Sequence, residues 1–108
     1  MDLTQQKCVP CEVGGIPLTP AEAASQMKDI PLWKLSADAK KLSRAFSFKD
    51  FKESLAFINK IGELAEKEGH HPDFDIHYNK VTLTLWTHEV GGLSINDFIV
   101  AAKVDKVS

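Results

Sequence analysis

Three histidines at two places in the chain, His70-His71 and His88, are the residues best suited to chemistry. Imidazole is the side chain whose unperturbed pKa lets it give or take a proton near pH 7, so the three are candidates for general acid–base catalysis. They also offer three nitrogen ligands of the kind found in catalytic zinc sites. Two features weigh against metal: neighbouring histidines point apart in extended chain, and no HExxH pair is present. Proton transfer is the preferred reading. Each histidine also has a plainer role to set beside it. One near a helix C-terminus often only bonds the last carbonyls, and one at a strand end is usually a partly exposed polar residue. The fourth, His77, alternates with Ile76 and Tyr78 and reads as a polar strand residue. Cys8 and Cys11 form a CxxC, but a redox dithiol needs a strand-to-helix setting and a structural zinc needs two more ligands. A flexible pair with no required role is expected.

The elements that must position these histidines follow from local signals. Three segments open with helix-start grammar. Thr19 precedes Pro20 and stands three residues before Glu22; Ser47 and Asp50 repeat that spacing, with Phe46 and Phe51 as a staple pair; Ser94 and Asp97 repeat it again, with Leu93 and Phe98. Asp97 is accounted for by this capping role. The middle helix is expected from about Phe48 to Glu68, because Phe51, Leu55, Ile58, Ile61, Leu64 and Ala65 recur at helical steps. Gly69 suits a left-handed C-terminal cap, and Pro72 disfavours helical geometry at His71. Trp33–Leu35 with Lys41–Phe46, and Phe74–Tyr78 with Lys80–Thr87, read as two hairpins, Asn79 lying near the second turn. In the last strand Val81, Leu83 and Leu85 share one face, and Thr82, Thr84, Trp86 and His88 the other. The expected fold is α+β, a four-stranded antiparallel sheet with helices packed on one face, in the order α-β-β-α-β-β-α. The long helix then delivers His70-His71, and the last strand delivers His88, to one place.

Composition bounds the rest. With 108 residues the chain forms one domain, read as an irregular arm over 1–17 and a single domain over 18–108. A hydrophobic fraction of 44% with 26% charged residues is that of a globular protein. A net charge of −2, with basic residues scattered among acidic ones, gives no footprint for nucleic acid. No apolar run is long enough to span a membrane, and the first residues lack a secretory apolar stretch. Two cysteines cannot staple a fold of this size. The cytoplasm is the expected location.

The stretch from Glu66 to Asp97 resembles the signature region of the pterin-4a-carbinolamine dehydratases, also called 4a-hydroxytetrahydrobiopterin dehydratases. The pieces that carry the likeness are His70-His71-Pro72, then Tyr78-Asn79-Lys80-Val81 with Thr84-Leu85, then Thr87-His88-Glu89, and Gly92-Leu93-Ser94 with Asp97. The element order is also that family's, so the likeness spans roughly residues 18–107. It implies that His70, His71 and His88 line a pterin pocket, that Glu66 is a carboxylate near it, and that Trp86-Thr87-His88-Glu89, with Pro72, contact the substrate. It further implies an enzyme needing no metal or organic cofactor. Such an enzyme would remove water from the 4a-carbinolamine left by an aromatic amino-acid hydroxylase, yielding quinonoid dihydropterin in tetrahydrobiopterin recycling. His70 and His88 would be its acid–base pair, with His71 positioning the substrate. Assembly as a homodimer or homotetramer is implied as well, one sheet being extended across a two-fold axis. Two positions depart from the better-known animal members, which carry an aspartate where Gly69 stands and an arginine where Asn96 stands. Two other functions go with the same likeness: a non-enzymatic oligomeric interaction module, since animal members also bind a transcription factor, and a dehydratase-like protein acting in molybdenum-cofactor pterin metabolism. This chain has no nuclear-localisation run.

Overall fold

The structure is a computed structural model that describes residues 3–5 and 17–108. Cys8, Cys11 and most of the expected arm lie outside the described residues. The elements are α1 (Pro20–Gln26), β1 (Lys34–Leu35), β2 (Leu42–Ser47), α2 (Phe51–Glu68), β3 (Asp73–His77), β4 (Lys80–Leu85) and α3 (Ile95–Val107), with short 3-10 turns at Leu3–Gln5, Met27–Asp29 and His88–Val90. The α+β order read from the sequence holds. All strands run antiparallel in the spatial order β1-β2-β4-β3. Each hairpin pairs with itself, and β2 and β4 join the two, with Leu42 opposite Leu85 and Phe46 opposite Val81.

Strand alternation decides which face is covered. Leu42, Phe46, Val81, Leu83 and Leu85 are buried under the helices, while Ser43, Ala45, Thr82, Thr84 and Trp86 occupy the more open face. Phe57, Ile61 and Ala65 of α2 complete the core with α3, which is buried nearly all round from Asn96 to Ala102. Leu3 also enters this core, its turn packing against α3. Trp33, expected in a strand, lies just before β1, is buried, and donates its indole N–H to Asp105 at 2.8 Å.

Two of the three helix starts form as read. Thr19 and Glu22 make a reciprocal capping box on α1, and the Ser94 N–H donates to Asp97 at the start of α3. The third differs. The helix begins at Phe51, not near Phe48, and Asp50 is its cap, accepting the Glu53 N–H at 2.9 Å. Ser47 is committed to the sheet opposite Lys80, and Phe48 donates its N–H to Asn79, so neither residue is free to cap or enter the helix. Asp50 stands three residues before Glu53, the same cap spacing three residues further on, and with Ser47 held in the sheet this is the cap that forms.

The β1–β2 connection holds a test of local strain. Asp38 accepts from the Ser36 hydroxyl at 2.6 Å and from the Lys40 N–H, contacts that hold its carboxyl below the ordinary aspartate range. Between them Ala39 adopts φ 58°, a left-handed conformation that a Cβ disfavours. Ala39→Gly removes a penalty of about 1 kcal/mol and adds about half that in unfolded-chain entropy. A gain near 0.5 kcal/mol, or ~2–4 °C in Tm, is expected in a thermal melt. An unchanged or lower Tm contradicts the strain.

Candidate active site

The end of α2 is shaped by its cap. Gly69 takes φ 65°, the left-handed value expected, and its N–H and that of His70 both reach back to the Ala65 carbonyl. The chain then turns sharply through His70, His71 and Pro72 into β3. Lys103 of α3 pairs with Glu68 at 2.6 Å, tying this helix end to its neighbour. After β4 the backbone leaves the sheet earlier than the sequence suggested. Thr87 bridges to Gly92, and His88–Val90 form a 3-10 turn, so His88 opens a turn one residue past that bridge instead of ending a strand.

These two turns face one another across a cavity of about 320 Å³. His70, His71 and Pro72 wall it from the α2 side; Asp73 opens β3; Trp86, His88 and Glu89 wall it from the β4 side. Six of the eight residues expected at the site meet here. The other two do not line it. Glu66, exposed on α2, pairs its carboxylate with Nε2 of His71. Thr87 is buried, because alternation along β4 puts it on the same face as Leu85, and its hydroxyl is occupied within the protein.

That buried hydroxyl leads to the residue the sequence reading undervalued. Asp97 is fully buried and takes three donors: the Ser94 N–H at 2.9 Å, the Thr87 hydroxyl at 2.8 Å and His70 Nε2 at 2.6 Å. Thr87 spends its one proton on Asp97, so the 2.9 Å contact between Thr87 and Ser94 has the Ser94 hydroxyl as donor. The result is a chain of polar groups ending on His70, a residue only 9% exposed. A carboxylate accepting from all sides requires the proton of His70 on Nε2, leaving Nδ1 as the nitrogen that can exchange one. Spacing from Ser94 had explained Asp97 as a cap. The signal that it does more is the apolar run Phe98-Ile99-Val100-Ala101-Ala102 behind it: a helix buried on every side buries its first-turn carboxylate too, and a buried carboxylate needs partners.

His88 is held differently. Among the described residues it has no side-chain hydrogen bond; its imidazole lies against the Trp86 indole, ring centroids 3.8 Å apart. His77 is exposed beside Asp75, away from the cavity, as its strand position suggested. No group of three His, Cys, Asp or Glu among the described residues is arranged to hold a metal ion, and none of the described helices is long and apolar enough to cross a membrane.

The fold is an antiparallel α+β sandwich with a histidine-walled cavity at one end of its sheet. The family model described as pterin 4 alpha carbinolamine dehydratase matches residues 16–107. A relative in Alkaliphilus metalliredigens, provisionally named a pterin-4-alpha-carbinolamine dehydratase, is 48% identical over 97% of this chain and 95% of its own length. One so named in Methylococcus capsulatus is 46% identical over 98% and 93%. The crystal structure of a transcriptional coactivator/pterin dehydratase from Brucella melitensis superposes with a TM-score of 0.78 at 31% identity, covering 84% of this chain and 97% of that one. The chain belongs to the pterin 4 alpha carbinolamine dehydratase family.

Proposed function

We propose that this protein dehydrates a 4a-hydroxytetrahydropterin to quinonoid dihydropterin in the cytoplasm, recycling tetrahydrobiopterin after an aromatic amino-acid hydroxylase has used it. The observation that carries the reading is the convergence of His70, His71 and His88 on one cavity from two separate turns. The reaction breaks the C4a–O bond. A proton delivered to the hydroxyl lets it leave as water with the bonding pair, a ring nitrogen loses its proton, and that N–H pair becomes the new C=N bond. One donor and one acceptor suffice, with no metal or organic cofactor.

His70 is the proton acceptor in this reading, because Asp97 fixes the tautomer that leaves Nδ1 free. His88, on the far wall, delivers the proton to the hydroxyl. His71, oriented by Glu66, positions the substrate, as do Pro72 and Glu89, while Trp86 lines the cavity beside His88. Thr87 acts from behind through Asp97. Each acid–base group is expected to contribute about 10²–10⁴-fold. The protein works as a homodimer or homotetramer, the open edges of the four-stranded sheet offering unpaired backbone groups for its extension.

The test generates the 4a-carbinolamine with a hydroxylase and follows its decay in a stopped-flow cell. Purified protein should accelerate the loss well above the spontaneous rate, and His71→Ala should raise KM more than it lowers kcat. A decay rate independent of added protein would instead fit an interaction module, the reading suggested by the coactivator in the Brucella structure's name.

A further inference from the structure

An exposed histidine with no hydrogen bond to fix its ring is a poor proton donor unless something else orients it, since misplacement by an ångström can cost on the order of 10²-fold. His88 is such a residue, and the only ring against it is Trp86, at 3.8 Å between centroids among the described residues. The indole is itself fixed from both neighbouring strands. Register places Leu42 opposite Leu85 and Asp73 opposite Thr84, so Lys41 and Asp73 flank Trp86 on the open face of the sheet. The Lys41 ammonium sits 5.1 Å from the indole centroid, and Asp73 accepts a long hydrogen bond of 3.4 Å from its Nε1–H. A cation over the ring and a carboxylate at its N–H hold the same plane, the first through the ring's negative face and the second through its one polar hydrogen.

We infer that Trp86 is a positioning residue for His88, locked across the sheet by Lys41 and Asp73. This rests on the reading of His88 as a proton-transfer group and extends it: the sheet's open face supplies the orientation that Asp97 supplies to His70. Trp86 moves no proton. It limits the imidazole to the orientations in which its nitrogen faces the cavity.

The test combines kinetics with proton NMR of the His88 ring. Trp86→Ala should lower kcat about 10-fold with KM changed less than about 2-fold, Trp86→Phe should recover most of the loss, and Lys41→Met should show an intermediate effect. In a His88→Ala background, Trp86→Ala should produce no further loss, since a residue acting through His88 has nothing left to position. In the spectrum, the His88 ring protons should be displaced by the indole ring current in the unmodified protein and in Trp86→Phe, and should return to unstructured positions in Trp86→Ala. Additive losses in the double variant, or His88 resonances indifferent to Trp86→Ala, overturn the inference. The spectrum separates its failure from that of the proposed reaction: if His88→Ala keeps full activity while the ring-current shift depends on Trp86, the positioning stands and the catalytic reading falls.

Discussion

Asp97→Asn is expected to lower the dehydration rate by about 10²–10⁴-fold while costing the fold only about 1–2 kcal/mol. The asymmetry follows from hydrogen-bond bookkeeping at the buried carboxylate. The amide oxygen can still accept from the Ser94 N–H and the Thr87 hydroxyl, which both reach Oδ2. The amide nitrogen then faces His70 and can only donate. His70 must respond by making Nε2 the acceptor and carrying its proton on Nδ1, which is the wrong tautomer for taking a proton from substrate. Asp97→Ala behaves differently: it leaves His70, Thr87 and the Ser94 N–H without their partner in a fully buried site, and should cost about 3–5 kcal/mol in urea unfolding. If Asp97→Asn turned over carbinolamine at the unmodified rate, Asp97 would be a helix cap and nothing more.

His88→Ala should lose a similar factor in rate, about 10²–10⁴, with stability unchanged to within ~0.5 kcal/mol. Its ring is exposed and has no hydrogen bond among the described residues, so the fold loses little but the tilted ring contact with Trp86. His70→Ala should match it in rate yet also destabilise, because it strands the Asp97 carboxylate in the core. The combined His70→Ala/His88→Ala variant should be far less impaired than the product of the two losses, since a proton pair acting on one substrate is lost as a unit. Rates measured by stopped flow, alongside denaturation curves, separate the contributions. A His88→Ala protein with near-normal rate contradicts the acid–base pairing.

The architecture could be read from the chain because its signals are local. Cap spacings at Thr19 and Ser94, the αL glycine after α2, and alternation in β4 each act over a few residues, and each survives in the structure. The α2 start was misplaced where a local signal met a distant one: Ser47 satisfies a cap pattern, but its pairing with Lys80 lies across the sheet. The cavity's composition was legible for the same reason as the fold, since a helix end and a strand end joined by one hairpin have few ways to lie apart. The polar chain Ser94–Thr87–Asp97–His70 was not, because it links residues whose individual roles were already explained by capping and alternation. Burial is what turns those roles into a network, and burial of α3 on every side depends on the whole sheet being in place.

A second cavity, of about 360 Å³ between Phe46, Phe57 and Lys60, is more apolar than the histidine-walled one but contains no imidazole. The two make different claims on a flat heterocycle, and a structure of the protein with a bound dihydropterin analogue decides between them. The ring system is expected between His70 and His88, walled by Pro72 and Trp86, with a ring nitrogen near His70 Nδ1. An analogue bound in the phenylalanine cavity, or bound without contact to either histidine, would contradict it.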